Sequence, residues 1–545
     1  MSGARLFRKL ALLVPVLLVL TVPAGAQAKA PHVGAAARHV QAIADHTEAA
    51  QKLRTEHPGL RARTPYWGGE HWFVDYPLNG RTQLEVEIDH GYHVVHIWSG
   101  LKARASFTRG GFGDGFNSPW VWLTFSLLFV APFIDPRRPF RLLHLDLLVL
   151  LSFIGSYLLL IHGGVEESIL LFYPPLIYLL GRMLWTGLRP RRPRGRLVPH
   201  APMRLLVVGL VLLAGARVAL NVTTPRTFDI SYSSVVGADR VEHKEQLYVD
   251  DSGHLDTYGP LMYIAYVPFE LVFPWHGNWD GLPAAHAAAI VFDVLTLIGL
   301  VLLGRRLRAG PEGRRLGVAL AWAWAAFPFT LFGLMESTND GFVAMLLVYL
   351  LVVFFSPAGR GALLGAAAAA KFFPGALITV VAAGAGKLDR RRFAISAAVC
   401  AAVFGFAIRA YLPDGGLREV WNCTLGYQLS REPDFSLWAV YTGIGWTKTV
   451  AEVLGVGLAL LLAVYPRRRS LVQAGALAAA VTIAFQLPTG HWWFFYIVWF
   501  APLVLVALFG GYLGEEPSLD AGRLDEEIHL LRVARARKED ELVSA

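Results

Sequence analysis

From residue 118 to residue 511 the chain alternates apolar runs of roughly 16 to 22 residues with short polar loops. The runs fall at about 118–134, 144–162, 168–187, 204–220, 283–304, 316–334, 341–356, 393–412, 447–465, 470–487 and 493–511. Each is long enough, or nearly so, for a helix to cross about 30 Å of hydrocarbon. The pattern predicts an all-α polytopic membrane protein of about eleven spans. The loops alternate in charge. "DPRRPFR", "RPRRPRGR", "RRLRAGPEGRR" and "PRRRS" are arginine-rich, whereas "HGGVEES", the loop from Asn221 to Tyr258, "MESTND", residues 413–440 and "PTGHWW" are not. The positive-inside rule puts the first set, with the charged tail, in the cytoplasm and the second set outside.

Two stretches do not fit a simple count of crossings. Residues 259–274 are apolar, yet the span that follows must start outside to end in "RRLRAGPEGRR", so this run is expected to dip or lie flat at the outer leaflet. Pro260, Pro268 and Pro274 and the interleaved aromatic residues suit such a segment. The stretch "GRGALLGAAAAAKFFPGALITVVAAGAGKLDRRR" is basic at both ends, which predicts a hairpin of two short helices bent near Lys371 and Pro374.

Ahead of the spans, residues 1–30 have a basic start, a short apolar core and small residues at Ala26 and Ala28, the pattern of a signal peptide, with an uncleaved anchor as the alternative. Residues 31–117 read as a small extracytoplasmic α+β domain: a helical start, then strands at "HWFVDYPL", "QLEVEID" and "YHVVHIW". One helix followed by a three-strand meander resembles a PepSY domain. The remaining parts are residues 118–203 with three additional transmembrane helices, a transmembrane core over 204–511, and a cytoplasmic tail over 512–545.

Composition agrees with the pattern. Of the 545 residues, 54% are hydrophobic and 17% charged, too apolar for a soluble domain of this length. The net charge of +9 resides in the topology-setting arginine clusters, which argues against nucleic acid as a partner. Cys400 and Cys423 lack the companions that a disulfide, a zinc site or a thiol catalyst needs, and no metal ligand set is expected.

The polar groups gather on the expected outer face. Asp229 lies about eight residues past a span, at the water–lipid boundary, where a carboxylate can act as a general base in a cleft open to both phases. Asp239, Asp250, Asp251 and Asp256 share its loop, and the alternative is that all five acids are simply solvated. Lys371 either snorkels to water at its bend or serves a site. Glu336, Asn339 and Asp340 begin a helix; Asn339 is expected to cap it, and the two acids either pair with the helix dipole or bind sugar hydroxyls. Asp293 is an acid within an apolar helix, by default a functional candidate.

Five segments in order resemble polyprenyl-phosphate-dependent glycosyltransferases of the GT-C fold, in particular glycosyltransferase family 87. They are Asp229, Tyr232, Gly237 and Leu247-Tyr248 followed by "DTYGPLMYIAYVPF"; "MESTNDGFVAMLL"; "LLGAAAAAKFFPGAL"; "YQLSREPDFSLW"; and "GHWWFFYIVWFAPLVL". Tyr258-Gly259-Pro260 departs from that family's Tyr-Pro-Pro. The resemblance implies an inverting transfer of a hexose such as mannose from a polyprenyl-phosphate sugar to a lipid or cell-envelope glycan, with no further cofactor. Asp229 would be the base; Lys371, Arg431 and His491 would meet the donor phosphate; Tyr232, Tyr258, Glu336, Asn339 and Asp340 would contact acceptor or sugar. Asp293 would then order helix packing. It also implies a multi-pass protein of the plasma membrane, with its active site outside. A transporter or flippase for a lipid-linked or small polar substrate is the alternative, since broken helices and buried charges also line transport paths. A third class is a receptor or assembly factor whose outer domain does the binding.

Overall fold

The computed structural model describes residues 33–68, 71–78, 81–104, 113–189, 194–199, 201–224, 227–248, 256–277, 281–431 and 433–513. The signal-peptide stretch 1–30, Asp250, Asp251 and the tail after residue 513 lie outside the described residues. The chain divides into a unit ending at Trp98 and a unit starting at Ser99.

In the first unit the helical start is two helices, α1 (Val33–Asp45) and α2 (Glu48–Glu56). Thr47 separates them: its extended backbone ends one helix, and its hydroxyl accepts the amide of Ala50 to begin the next. The strands β1 (Tyr66–Gly68), β2 (His71–Leu78), β3 (Arg81–Ile88) and β4 (Val94–Ser99) form an antiparallel meander in chain order. The three expected strands are present, and β1 adds a fourth along β2. Trp72, Val74 and Tyr76 alternate on β2 and meet Leu84, Val86 and Ile88 of β3 and the Val40–Ala44 side of α1 in one core. The unit is shorter than the expected 31–117, because Phe116 is buried against Tyr157 and Phe332 of the helical unit.

Each apolar run is helical in the second unit. Among the described residues, six helices are long and apolar enough to cross a membrane: α4 (Leu142–Ile161), α5 (Val165–Leu188), α6 (Met203–Thr223), α9 (Pro283–Leu307), α15 (Arg390–Ala410) and α16 (Gly445–Val464). A seventh candidate is the pair α10 (Gly310–Ala326) and α11 (Pro328–Met335), bent by 59°. Pro328 causes the bend, since it offers no amide to continue the ladder and pushes Phe327 into an extended conformation. The other runs form shorter apolar helices: α3 (Pro119–Val130), α12 (Asp340–Val352), α17 (Leu471–Gln486) and α18 (Ile497–Phe509). Residues 259–274 contain α8 (Pro260–Glu270), at 11 residues far too short to span; it packs on α7 (Asp229–Glu242), α9 and the first helix of the hairpin. That hairpin is α13 (Pro357–Ala370), a 3-10 turn at Phe373–Leu377 and α14 (Ile378–Ala383), with its bend at Lys371 as expected.

The arginine-rich loops come together at one end of the bundle. β5 (Arg194–Arg196) pairs with β8 (Tyr512–Leu513), β6 (Gly386–Lys387) with β7 (Arg468–Arg469), and Arg308 donates to the Gly510 carbonyl at 3.1 Å.

Ion pairs lie inside the bundle. Arg182 meets Asp146 through two hydrogen bonds of 2.7 and 2.9 Å, and Tyr178 adds a third at 2.9 Å. Arg217 on α6 grips Asp293 on α9 at 2.7 and 3.0 Å and donates to the carbonyls of Ala325 and Thr330, at the α10–α11 bend. Trp324 donates to the same carboxylate at 2.8 Å. Asp293 therefore ties three helices together. Asp293→Asn is expected to cost about 1.5–3 kcal/mol, the worth of a hydrogen bond to a charged group, because Arg217 keeps its two carbonyl acceptors. Thermal unfolding of the purified protein in detergent checks this, and an unchanged midpoint would contradict it.

Candidate functional site

The turn from Glu336 to Asn339 is held from several directions at the end of the bundle opposite the arginine loops. Asn221 donates to the Leu334 carbonyl at 2.6 Å, Ser231 to the Ser337 carbonyl at 2.8 Å, and the Ser337 hydroxyl meets His286 at 2.9 Å. Ser337 adopts a left-handed backbone with φ 51° within this framework. Two expectations change here. Asn339 occupies the position before α12, but its backbone is helical and its side chain makes no capping bond. Its amide reaches instead to Ser234 at 2.8 Å and to the Ile230 carbonyl, tying α12 to α7. Glu336 accepts the amide of Gly113 at 2.8 Å and is buried, so it braces the turn.

Asp340, the first residue of α12, is 1% exposed. Its Oδ1 receives the Lys371 ammonium and the Trp499 indole N–H, the latter at 2.6 Å. Its Oδ2 is buried without a hydrogen-bond partner. Lys371 is buried too, with its ammonium 5.0 Å from the centre of the Tyr258 ring and 5.3 Å from that of Trp499. A snorkelling lysine is thereby excluded: the chain leaves α13 in an extended conformation at Lys371, which turns the side chain inward.

Gly259 explains how Tyr258 arrives over the lysine. The Gly259 amide bonds the Ala370 carbonyl at 3.0 Å, and a Cβ at Gly259 would stand 2.1 Å from the Ala369 carbonyl oxygen. Only glycine permits this approach of the loop to the end of α13. The Tyr258 hydroxyl is raised well above its ordinary range by burial first and then by the charges of Asp229 and Asp340, so it stays protonated and able to donate.

Asp229 opens α7 and is exposed, its Oδ1 accepting the next amide at 2.8 Å. Its charge acts on Tyr258, Lys371 and Tyr496. Asp229, Tyr258, Asp340 and Lys371, up to 142 positions apart by the subtraction 371 − 229, thus form one cluster.

Arg431 and His491 form a second pole. Asp434 joins them, accepting Arg431 at 3.0 Å on one oxygen and meeting His491 Nδ1 on the other at 2.5 Å. The backbones agree, since the amides of Asp434 and Phe435 both bond the Gly490 carbonyl. Arg431 and His491 line a cavity of 330 Å³ together with Lys448, Glu452 and Tyr496. Tyr496 connects the poles: its ring lies tilted, 4.6 Å from that of Trp499, which binds Asp340, and it senses the charges of Asp340, Arg431, Asp434 and Asp229.

Tyr232 packs edge-on against Trp275 at 5.9 Å. Asp256 is no solvated acid: it is fully buried and accepts Arg240 at 3.1 Å and the Tyr248 amide at 2.8 Å. Sequence reasoning passed over Asp434, Tyr496 and Trp499. The first stands three residues after Arg431, and the others lie in the closing aromatic segment, where nothing local distinguishes a site residue from packing.

No protein-family model, curated protein or solved structure matches this chain. Fold and site together define a class: a multi-pass helical membrane protein whose bundle carries a charged, tyrosine-lined cluster at the end opposite its arginine loops.

Proposed function

We propose that this protein is a GT-C-type membrane glycosyltransferase that moves a hexose, mannose being the first candidate, from a polyprenyl-phosphate sugar to a lipid or cell-envelope glycan at the outer face of the plasma membrane. The observation that carries the reading is the meeting of an exposed carboxylate, Asp229, with the buried Asp340–Lys371 pair and, through Tyr496, with a cavity bordered by Arg431 and His491. In the proposed reaction Asp229 takes the proton of the acceptor hydroxyl as its oxygen bonds the anomeric carbon. The bond from that carbon to the phosphate oxygen breaks, its electron pair leaves with the polyprenyl phosphate, and a single displacement inverts the centre. Arg431 offsets the phosphate charge, and His491 stands beside it at the same cavity. Lys371 is already engaged by Asp340, so it acts on the donor through the local field and by holding Asp340, whose Oδ2 remains available to a sugar hydroxyl.

The direct test supplies radiolabelled polyprenyl-phosphate mannose to membranes with and without the protein and follows label into extracted lipid and glycan. Label that never moves in a protein-dependent way would remove the reading. Arg431→Gln is expected to raise KM for the donor about tenfold with a smaller change in kcat, since a partly exposed charge-assisted contact to the phosphate is lost. Steady-state kinetics over donor concentration check it; an unchanged KM would place the phosphate elsewhere.

The 59° bend after α10 and the break at Lys371 give the transporter alternative its footing. Label carried across sealed vesicles without transfer to an acceptor would favour it.

A further inference from the structure

We infer that the arginine end of the bundle holds a separate site for the phosphate headgroup of an anionic membrane lipid. A cavity of 260 Å³ lies there between the segment from Arg196 to Leu206, the chain from Arg308 to Ala319, and Tyr512. Among the described residues three arginines, Arg196, Arg308 and Arg315, and one acid, Glu312, border it, so the described lining carries an excess of positive charge. One terminal nitrogen of Arg308 is committed to the Gly510 carbonyl at 3.1 Å, while its Nε is buried with no hydrogen-bond partner. A buried guanidinium N–H without an acceptor is costly, and a phosphate oxygen is the acceptor whose geometry suits the guanidinium edge.

The rest of the cavity decides what carries that phosphate. Leu206 lies in the first turn of the spanning helix α6, and Leu316 and Ala319 face the cavity from α10. A charged mouth thus continues into an apolar wall set on membrane helices, which suits a headgroup with acyl chains attached and gives a free anion nothing to cover the wall. By the positive-inside rule this end meets the cytoplasmic leaflet, where anionic lipids are attracted to arginine. The site stands at the other end of the bundle from Asp229 and does not depend on the reaction proposed above.

Full-length protein purified in detergent, titrated with lipid and followed by native mass spectrometry, tests the site. Phosphatidylglycerol is expected to bind about tenfold tighter than phosphatidylcholine, whose choline cancels the phosphate charge. Arg315→Gln should weaken phosphatidylglycerol about tenfold, and Glu312→Gln, bordering the same cavity, should strengthen it. Opposite signs from neighbouring positions cannot come from misfolding. Should Arg315→Gln not fold, Arg196→Gln takes its place with the same expected weakening. Equal binding of the two lipids, or a basic-residue variant that binds as the wild type does, would overturn the site. Displacement of phosphatidylglycerol by millimolar inorganic phosphate would overturn the lipid assignment and leave a soluble-anion site.

Discussion

Asp229→Asn is expected to lower glycosyl transfer by about 10²–10⁴-fold, the contribution of a positioned general base, with expression and thermal stability unchanged. The side chain is exposed and accepts the adjacent amide, so asparagine can replace it sterically and still accept that bond. What asparagine cannot do is take a proton. Single-turnover transfer with saturating donor reads the chemical step directly, and full activity in this variant would eliminate Asp229 as the base. Cysteine labelling at position 229 supplies an independent check on sidedness: reaction with an impermeant reagent is expected from outside, and labelling from the cytosol alone would invert the topology on which the mechanism rests.

The second large effect belongs to the Asp340–Lys371 pair. Lys371→Met leaves a buried carboxylate with only the Trp499 indole to serve it, and Asp340→Asn leaves a buried ammonium between two aromatic rings. Each single change is expected to destabilise by about 3–5 kcal/mol, because one partner of a buried ion pair is left uncompensated. The double variant, which removes both charges, is expected to recover most of that loss. Transfer should behave differently. The double variant regains stability without regaining activity, since the carboxylate that would meet a sugar hydroxyl is gone. Unfolding midpoints in detergent, measured beside transfer rates for the three variants, separate the two roles. Additive losses in the double variant would show that the pair is not coupled, and activity that tracks stability would make the pair purely structural.

Much of the helical architecture was legible because hydrophobic run length is a one-dimensional property. The runs, the bend at Lys371 and the short helix at Pro260–Glu270 all follow from the length of apolar chain and the sign of the loops around it. The roles of polar residues were less legible. Asn339 matches a capping preference, yet its side-chain amide donates instead to Ser234 and to the Ile230 carbonyl of the nearby α7. Glu336 looked as available as Asp340, and an amide from Gly113, over two hundred positions away, occupies it. Asp256 sits in an acidic loop and is nonetheless sealed by Arg240.

The sequence by itself determined which segments are helical, which loops share an end of the bundle, and that Asp229, Lys371, Arg431 and His491 belong to the same end. Those features depend on burial of apolar surface and on the distribution of arginine, both written locally along the chain. Only the tertiary structure decided that Lys371 pairs with Asp340, that Asp434 joins Arg431 to His491, and that Tyr496 and Trp499 link the two poles. The physical reason is that hydrogen bonds and ion pairs act over a few ångströms between residues far apart in the chain, so their partners exist only once the helices have packed.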